Sequence, residues 1–417
     1  MLDGYDKALS LERKGFFNEA LMSLEMIGGV ERDPDALNVR GRLLFSLGRI
    51  DDARENLALA LKLRPAFADA LNTLGVIHAQ LGEFLEAKSC FENSLAIAGD
   101  QVHARCNLAM VLLVLGDWQR GFREFENRWK VSPIEERRRT HLATAWTGDA
   151  DIRGKTVLLH HEQGLGDSLQ FCRYAPLVAR RGAHVFLAVP RSLRSLMETL
   201  GSDVQVISDD SAIPPHDYCC GLLSLPRVFA TTPATVPAAI PYLRASEERV
   251  EAWARKLGPR STRRIGLVWF GRRQPISNCS RDIPFDTVRA LLELDAEFVV
   301  LQQELTAPER EELAPYPNVT IPGEAFKDFA DTAGLIANLD LVVTVDTAVA
   351  HLVGALGKPV WLMNRFATCW RWLLGRTDSP WYPTMRIFRQ CSLDDWMGVI
   401  EDVAAAAESF ISLVPKT

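Results

Sequence analysis

No apolar run in this chain approaches the roughly 20 residues that a helix needs to cross a bilayer, so no helical membrane span is expected. Neither sign of charge is in large excess. Residues 1–150 carry 19 basic and 22 acidic side chains and the remainder 28 and 31, a net −3 in each part. Without a basic face, nucleic acid is a poor candidate partner. Eight cysteines occur without a CxxC pair or a His-rich ligand spacing, and the neighbours Cys219 and Cys220 are badly placed to bridge each other. The expectation is buried free thiols, not a disulfide framework or a zinc site. The opening MLDGYDKALSLERKG is charged throughout and lacks the apolar core of a secretory signal, which leads us to expect a cytoplasmic protein. What is present is ordinary for a globular chain: 417 residues, 47% hydrophobic and 24% charged, enough for two or three domains with their own cores.

An internal repeat organises the first third. Gly48, Gly82 and Gly116 recur every 34 residues, as do Ala53 and Ala87, while Gly41, Gly75 and Ala109 form a second column of small residues at the same period. In the clearest unit, residues 66–99, one helix carries Leu71, Leu74, Gly75 and Ile77, and the turn Leu81-Gly82-Glu83 leads to a second with Ala87, Phe91 and Leu95. The small residues let the two backbones approach, and Pro65 closes the preceding unit. This pattern resembles the tetratricopeptide repeat, with a degenerate unit around Gly15, Phe16 and Ala20, two good units, and a divergent last one through Asp117, Trp118, Phe122 and Phe125. Such arrays commonly hold an extended peptide, so a protein partner is implied. Asn38, Asn72, Asn107 and Arg105 lie near the inward positions where a peptide backbone would be met.

Residues 131–153 break the period and read as a linker between the repeat array of residues 1–130 and the C-terminal two-thirds of the chain. Asp149-Ala150-Asp151 has the spacing of a metal-holding carboxylate pair but no flanking strand, and Glu135 to Arg139 reads as a solvated surface. From Lys155 to Pro190 an apolar strand, Val157 to His160, runs into a Gly-rich loop, a helix and a second apolar strand, which is a βαβ unit and implies a parallel sheet. Gly164 and Gly166 permit a ligand to approach the backbone. Asp167 stands at the helix start beyond the carboxyl end of the strand, where a carboxylate can either cap the helix or accept a proton from a hydroxyl. The third glycine of the dinucleotide GxGxxG pattern is missing, and Pro176 should kink or divide the helix. Residues 212–241, with six prolines, lead into a second domain.

That domain begins with a strand at Arg264 to Phe270 and continues through Phe298 to Gln302. Its most informative stretch is TVDTAVAHLVGALGKPVWLM, Thr344 to Met363. The run Leu341 to Val345 suits a strand buried on both faces, Asp346-Thr347 opens a helix ending at Gly357, and Pro359 starts the next strand. The unpaired amides and partial positive charge of such a helix start favour a phosphate; capping by Asp346 or Thr347 is the plainer alternative. Two sheets of this kind point to paired Rossmann-like domains, residues 154–245 and 246–395, followed by a C-terminal helix at 396–417.

Together, EQGLGDSLQFCRY, SRDIPF, DFADTAGLIANLDLVVTVDTAVAHLVGALGKPVW and WRWLLGRTDSPWYPTMRIFRQ resemble bacterial proteins that fuse tetratricopeptide repeats to a GT-B glycosyltransferase domain. That domain is similar to glycosyltransferase family 9, the heptosyltransferases, and more distantly to O-linked N-acetylglucosamine transferases. The resemblance implies helical repeats followed by a GT-B pair of Rossmann-like domains. It also implies an inverting transfer of sugar from a nucleotide-sugar donor, without a metal ion or other cofactor. On that pattern Asp167 is the base. Asp346, Thr347 and the Ala348 backbone contact the donor diphosphate, and Arg281, or else Arg272, neutralises the leaving group. Trp269, Phe270 and Trp370 are candidate walls for a base or sugar, and His351, one turn into the helix, is a further candidate donor contact, with simple packing as the alternative. The chain departs from the pattern at Cys369, where an acidic residue often precedes the WRW, and in SNCSRD near Asn278. The expected acceptor is Ser or Thr of a protein recruited by the repeats; a glycan- or lipid-linked saccharide acceptor and a non-catalytic adaptor remain as alternatives.

Overall fold

The structure, a computed structural model, describes residues 2–131, 144–271 and 281–412. The chain divides into two compact units, one formed by the N-terminal repeats together with Ala367–Leu373, the other by the two α/β domains.

Among the described residues of the first unit, eight α-helices form four antiparallel pairs: α1 (Leu2–Arg13) with α2 (Phe17–Glu25), α3 (Pro34–Ser46) with α4 (Ile50–Leu63), α5 (Ala68–Gln80) with α6 (Phe84–Ile97), and α7 (Val102–Val114) with α8 (Trp118–Phe125). The glycines at period 34 do two different jobs. Gly48, Gly82 and Gly116 adopt φ of 78°, 78° and 87°, the left-handed turn that glycine enters without strain and that reverses the chain inside each pair. Gly41 and Gly75 instead sit where helices touch: a Cβ at Gly41 would lie 2.9 Å from Leu57 Cγ, and at Gly75 2.6 Å from Phe91 Cε1. The first helices of successive pairs meet one another, α1 with α3, α3 with α5 and α5 with α7, so they line one side of the array. Ion pairs join neighbouring repeats, Arg42 to Glu12 and Arg120 to Glu92, and also close single helix pairs, Arg64 to Asp35 and Arg105 to Glu124. All are partly exposed and screened by solvent, so burial of residues such as Leu37, Leu43, Leu57 and Ile77 dominates.

The second unit holds two wholly parallel sheets. The first has the order β1-β5-β2-β3-β4, with β1 (Thr144–Ala145), β2 (Thr156–His160), β3 (His184–Val189), β4 (Val204–Ser208) and β5 (Tyr218–Gly221). The second has the order β11-β10-β9-β6-β7-β8, with β6 (Arg264–Val268), β7 (Glu297–Val300), β8 (Val319–Thr320), β9 (Leu341–Val345), β10 (Val360–Asn364) and β11 (Met385–Arg389). All five residues of β6, of β9 and of β10 are buried, as the almost wholly apolar, β-branched pattern of β9 requires. Helical repeats are thus followed by two parallel-sheet α/β domains, closed by a helix at Trp396–Ser412 whose Val399, Ile400, Val403 and Ala407 face inward.

Two boundaries differ from the sequence expectation. The linker's end is not a linker: Thr144–Ala145 pairs with β5 as an edge strand, and Trp146 and Ile152 are buried. The Pro-rich stretch also contains β5, an inner strand, because Tyr218–Gly221 is too short to show a period. Cys219 and Cys220 are consecutive on it and point to opposite faces; among the described residues the cysteines are free. Pro176 divides its helix as expected, into α9 (Leu165–Phe171) and α10 (Ala175–Ala179) separated by a 3₁₀ turn.

Candidate functional site

Each sheet has a point where the strand order reverses, between β9 and β6 in the second and between β5 and β2 in the first, and open α/β sheets bind ligands beyond the carboxyl ends of strands at such points. In the second sheet the reversal is bridged by Arg281, whose Nη1 donates to the Asp346 carbonyl at the end of β9. The chain leaving β6 is fixed from beneath. Buried Gln302 accepts from the Trp269 and Phe270 amides with Oε1 and donates to the Phe270 carbonyl through Nε2, Ile283 N–H donates to Trp269 O, and Asp282 Oδ1 accepts from Gly271 N–H at 2.9 Å. Thr347 is extended, φ −133°, and caps α11 (Ala348–Ala355), its Oγ1 accepting from Val349 N–H at 3.3 Å while its carbonyl takes Ala350 N–H. Asp346, Thr347 and Ala348 are half-buried, so the helix start is positioned yet reachable. A helix start of this kind beside a guanidinium attracts an anion.

In the first sheet the reversal is bridged by Glu162, buried, whose Oε1 accepts from Leu223 N–H at 3.0 Å just beyond β5. A little further along the loop the N-cap is Gly164 and not Asp167, which stands at the third helical position and reaches back, its Oδ2 accepting from Gly164 N–H at 2.8 Å. Gly166 explains why the loop is glycine-rich. A Cβ there would stand 2.8 Å from His351 Cδ2 and 3.4 Å from Ala348 Cα, so the start of α9 packs directly on the start of α11. The Asp167 loop and the Thr347 helix, about 180 residues apart in sequence, are therefore neighbours.

Sequence reasoning missed the group that holds them there. Arg173 is 4% exposed and donates to Gln170 O at 2.7 Å, Trp381 O at 2.8 Å and Tyr242 Oη at 2.8 Å. Its guanidinium also lies 4.4 Å from the Tyr242 ring and 4.7 Å from that of Tyr382. A buried cation satisfied by carbonyls and aromatic faces ties the first α/β domain to the second. Burial pushes the Tyr242 phenol well up and the neighbouring Cys172 thiol up to about 12, so Cys172 is inert. The only trace of this hub in the sequence is an arginine inside the otherwise apolar run QFCRYAPLV.

Other candidates fall in different places. Trp269 and Phe270 are 1% and 5% exposed, edge-on to each other, and Phe285 tilts against Trp269: these rings are core. His351 is buried, its Nδ1 2.9 Å from Tyr382 Oη. Trp370 lies in the first unit, against Trp118 and Phe122. Arg272 and the loop around Asn278 lie outside the described residues. In the repeats, Asn38 Oδ1 accepts from Thr73 and Asn107 donates to Asn72 Oδ1, which links neighbouring repeats, while Arg105 holds Gly99 O and, within its own helix pair, Glu124. Asp149 accepts from Thr147 and Asp151 pairs with Arg153. Among the described residues no cluster of three or more His, Cys, Asp or Glu could hold a metal ion, and no helix is long and apolar enough to cross a membrane.

Comparison with known proteins agrees with the repeat assignment. Tetratricopeptide-repeat models match residues 41–82 and 68–101. The protein FlbA of Caulobacter vibrioides is 27% identical over 426 residues, covering 94% of this chain and 70% of FlbA. Among solved structures, a glycosyl transferase family 9 protein from Veillonella parvula is similar over 64% of this chain and all of its own, at 10% identity and a TM-score of 0.47. The crystal structure of MamA is similar over 33% of this chain and 80% of its own, at 19% identity and a TM-score of 0.28.

Proposed function

We propose that this protein is an inverting, metal-independent glycosyltransferase that moves a sugar from a nucleotide-sugar donor to a hydroxyl, with Ser or Thr of a protein held by the repeats as acceptor. The observation that carries the reading is the meeting of two loops at the sheet reversals: Asp167 at the start of α9, packed through Gly166 on the Thr347-capped start of α11 with Arg281 beside it. In the step proposed, the acceptor oxygen bonds to the anomeric carbon as the bond from that carbon to the diphosphate oxygen breaks. The hydroxyl proton passes to the Asp167 carboxylate, and the electron pair of the broken bond leaves on the nucleoside diphosphate, next to Arg281 and the amides at Thr347 and Ala348. A second reading, a non-catalytic binding protein, is favoured by the same two contacts in another light: Asp167 is occupied by the Gly164 amide, and Gly166 lies against the helix start that the diphosphate would approach.

Calorimetric titration of the full chain with UDP, GDP, CDP, ADP and TDP separates these. Selective binding of one, lost in Thr347→Pro, supports the donor site and names the nucleotide; no binding to any of them overturns the enzyme reading.

A further inference from the structure

Helical repeat arrays leave the apolar flank of their last helix pair uncovered unless a capping element closes it. In the first unit that flank is met by Ala367–Leu373, a segment that begins three residues after β10, in the loop between β10 and β11. Trp370 is 1% exposed. Its ring stands edge-on to Trp118, 6.0 Å between centroids, and to Phe122, 5.5 Å, and those two are edge-on to each other at 5.7 Å. The 3₁₀ turn Trp370–Trp372 packs on α7, and Trp118 Nε1 is anchored to Leu113 O of that helix at 3.0 Å. Outside the cluster, the Arg371 guanidinium covers the Trp370 ring at 4.5 Å and donates to Cys369 Sγ at 3.3 Å. The turn ends on Leu373 with φ of 51°, a left-handed conformation that a leucine adopts only where its surroundings enforce it. Leu373 is itself buried.

We infer that residues 367–373 are the terminal cap of the repeat array, lent to it by the second α/β domain. Three mutually edge-on rings are the packing of a finished core, and the strained leucine shows that the segment is held in place. The array is therefore completed by chain that lies some 240 residues beyond its last helix. Cys369, where the chain departs from the expected acidic residue, belongs to this cap.

The test is limited proteolysis of the full chain, with initial cleavage rates inside residues 1–131 read by mass spectrometry. Trp370→Ala is compared with wild type and with Trp361→Ala, which removes a β10 ring packed against Phe388 and Phe410 instead. Cleavage in the open state follows its population, so Trp370→Ala should speed cutting in the repeats by about tenfold or more. Trp118→Ala should do the same and the double variant little further, whereas Trp361→Ala should leave the repeats protected. Repeat cleavage in Trp370→Ala no faster than in wild type, or raised equally by Trp361→Ala, overturns the cap. Should the alanine variant be recovered only as aggregate, Trp370→Leu replaces it, and wild-type protection of the repeats in that variant overturns the inference.

Discussion

Gly166→Ala tests whether the two loops are held together by contact or merely drawn near. The added methyl would lie 2.8 Å from His351 Cδ2, 3.5 Å from its Nε2 and 3.4 Å from Ala348 Cα. An ordinary carbon–carbon contact is about 3.5 to 4.0 Å, so the imidazole has to retreat by roughly 0.7 Å. It has nowhere to go. His351 is buried, its Nδ1 is paired with Tyr382 Oη at 2.9 Å, and the Tyr382 ring is pressed on Gly354, where a Cβ would be 2.3 Å from Cδ1. Overpacking of this kind costs about 1 to 3 kcal/mol, while alanine for glycine in a helical turn returns about 0.5 to 1. We expect a net loss of about 0.5 to 2 kcal/mol, read as a lower urea midpoint at unchanged slope and a melting temperature down by about 2 to 4 °C per kcal/mol. In a His351→Ala background the same substitution should cost about 1 kcal/mol less, since the clashing ring is gone. A Gly166→Ala variant as stable as wild type, or a double variant showing no relief, would refute the contact.

Asp167→Asn keeps an oxygen for the Gly164 amide but cannot accept a proton, so stability and nucleotide affinity should hold while glycosyl transfer falls by about 10²- to 10⁴-fold; a drop in melting temperature with transfer intact would assign Asp167 to capping alone. Arg281→Ala should weaken nucleoside diphosphate binding by about 1.5 to 3 kcal/mol in titration calorimetry, and unchanged affinity in a folded variant removes that side chain from the site. The last prediction concerns acid. Burial pushes the Asp328 carboxyl up, but the Asp331 amide, Ser195 hydroxyl and Arg249 guanidinium outweigh it and hold its pKa below the ordinary value. A depressed folded value means stability present above about pH 4 and lost as pH falls through the lower folded pKa. The urea midpoint of wild type should therefore fall as pH drops below about 4, and Asp328→Asn, already weaker at about pH 6, should show a shallower fall. Parallel curves for the two would remove this cluster as a source of acid lability.

Local chemistry is what the sequence determined by itself. The 34-residue period fixed the helix pairs, because a turn that needs positive φ admits glycine at Gly48, Gly82 and Gly116, and a helix crossing needs a missing side chain at Gly41 and Gly75. The almost wholly apolar β9 and the cap at Thr347 were equally legible, since burial on both faces and an unpaired helix start each constrain a few adjacent residues. Asp167 was legible as a helix-start carboxylate for the same reason. Tertiary structure decided what depends on distant chain. Asn72 and Asn107 turn to each other across a repeat boundary, a hydrogen bond that no single repeat contains. β5 is four residues long, too short for its alternation to show, and becomes a strand only between β1 and β2. Arg173 looks like a misplaced surface charge until Tyr242, Trp381 and Tyr382 surround it. Trp370 reads as a ligand wall by motif and is core by packing. An aromatic ring buries itself against whatever apolar surface the fold delivers, and here that surface, Trp118 and Phe122, lies some 250 residues upstream.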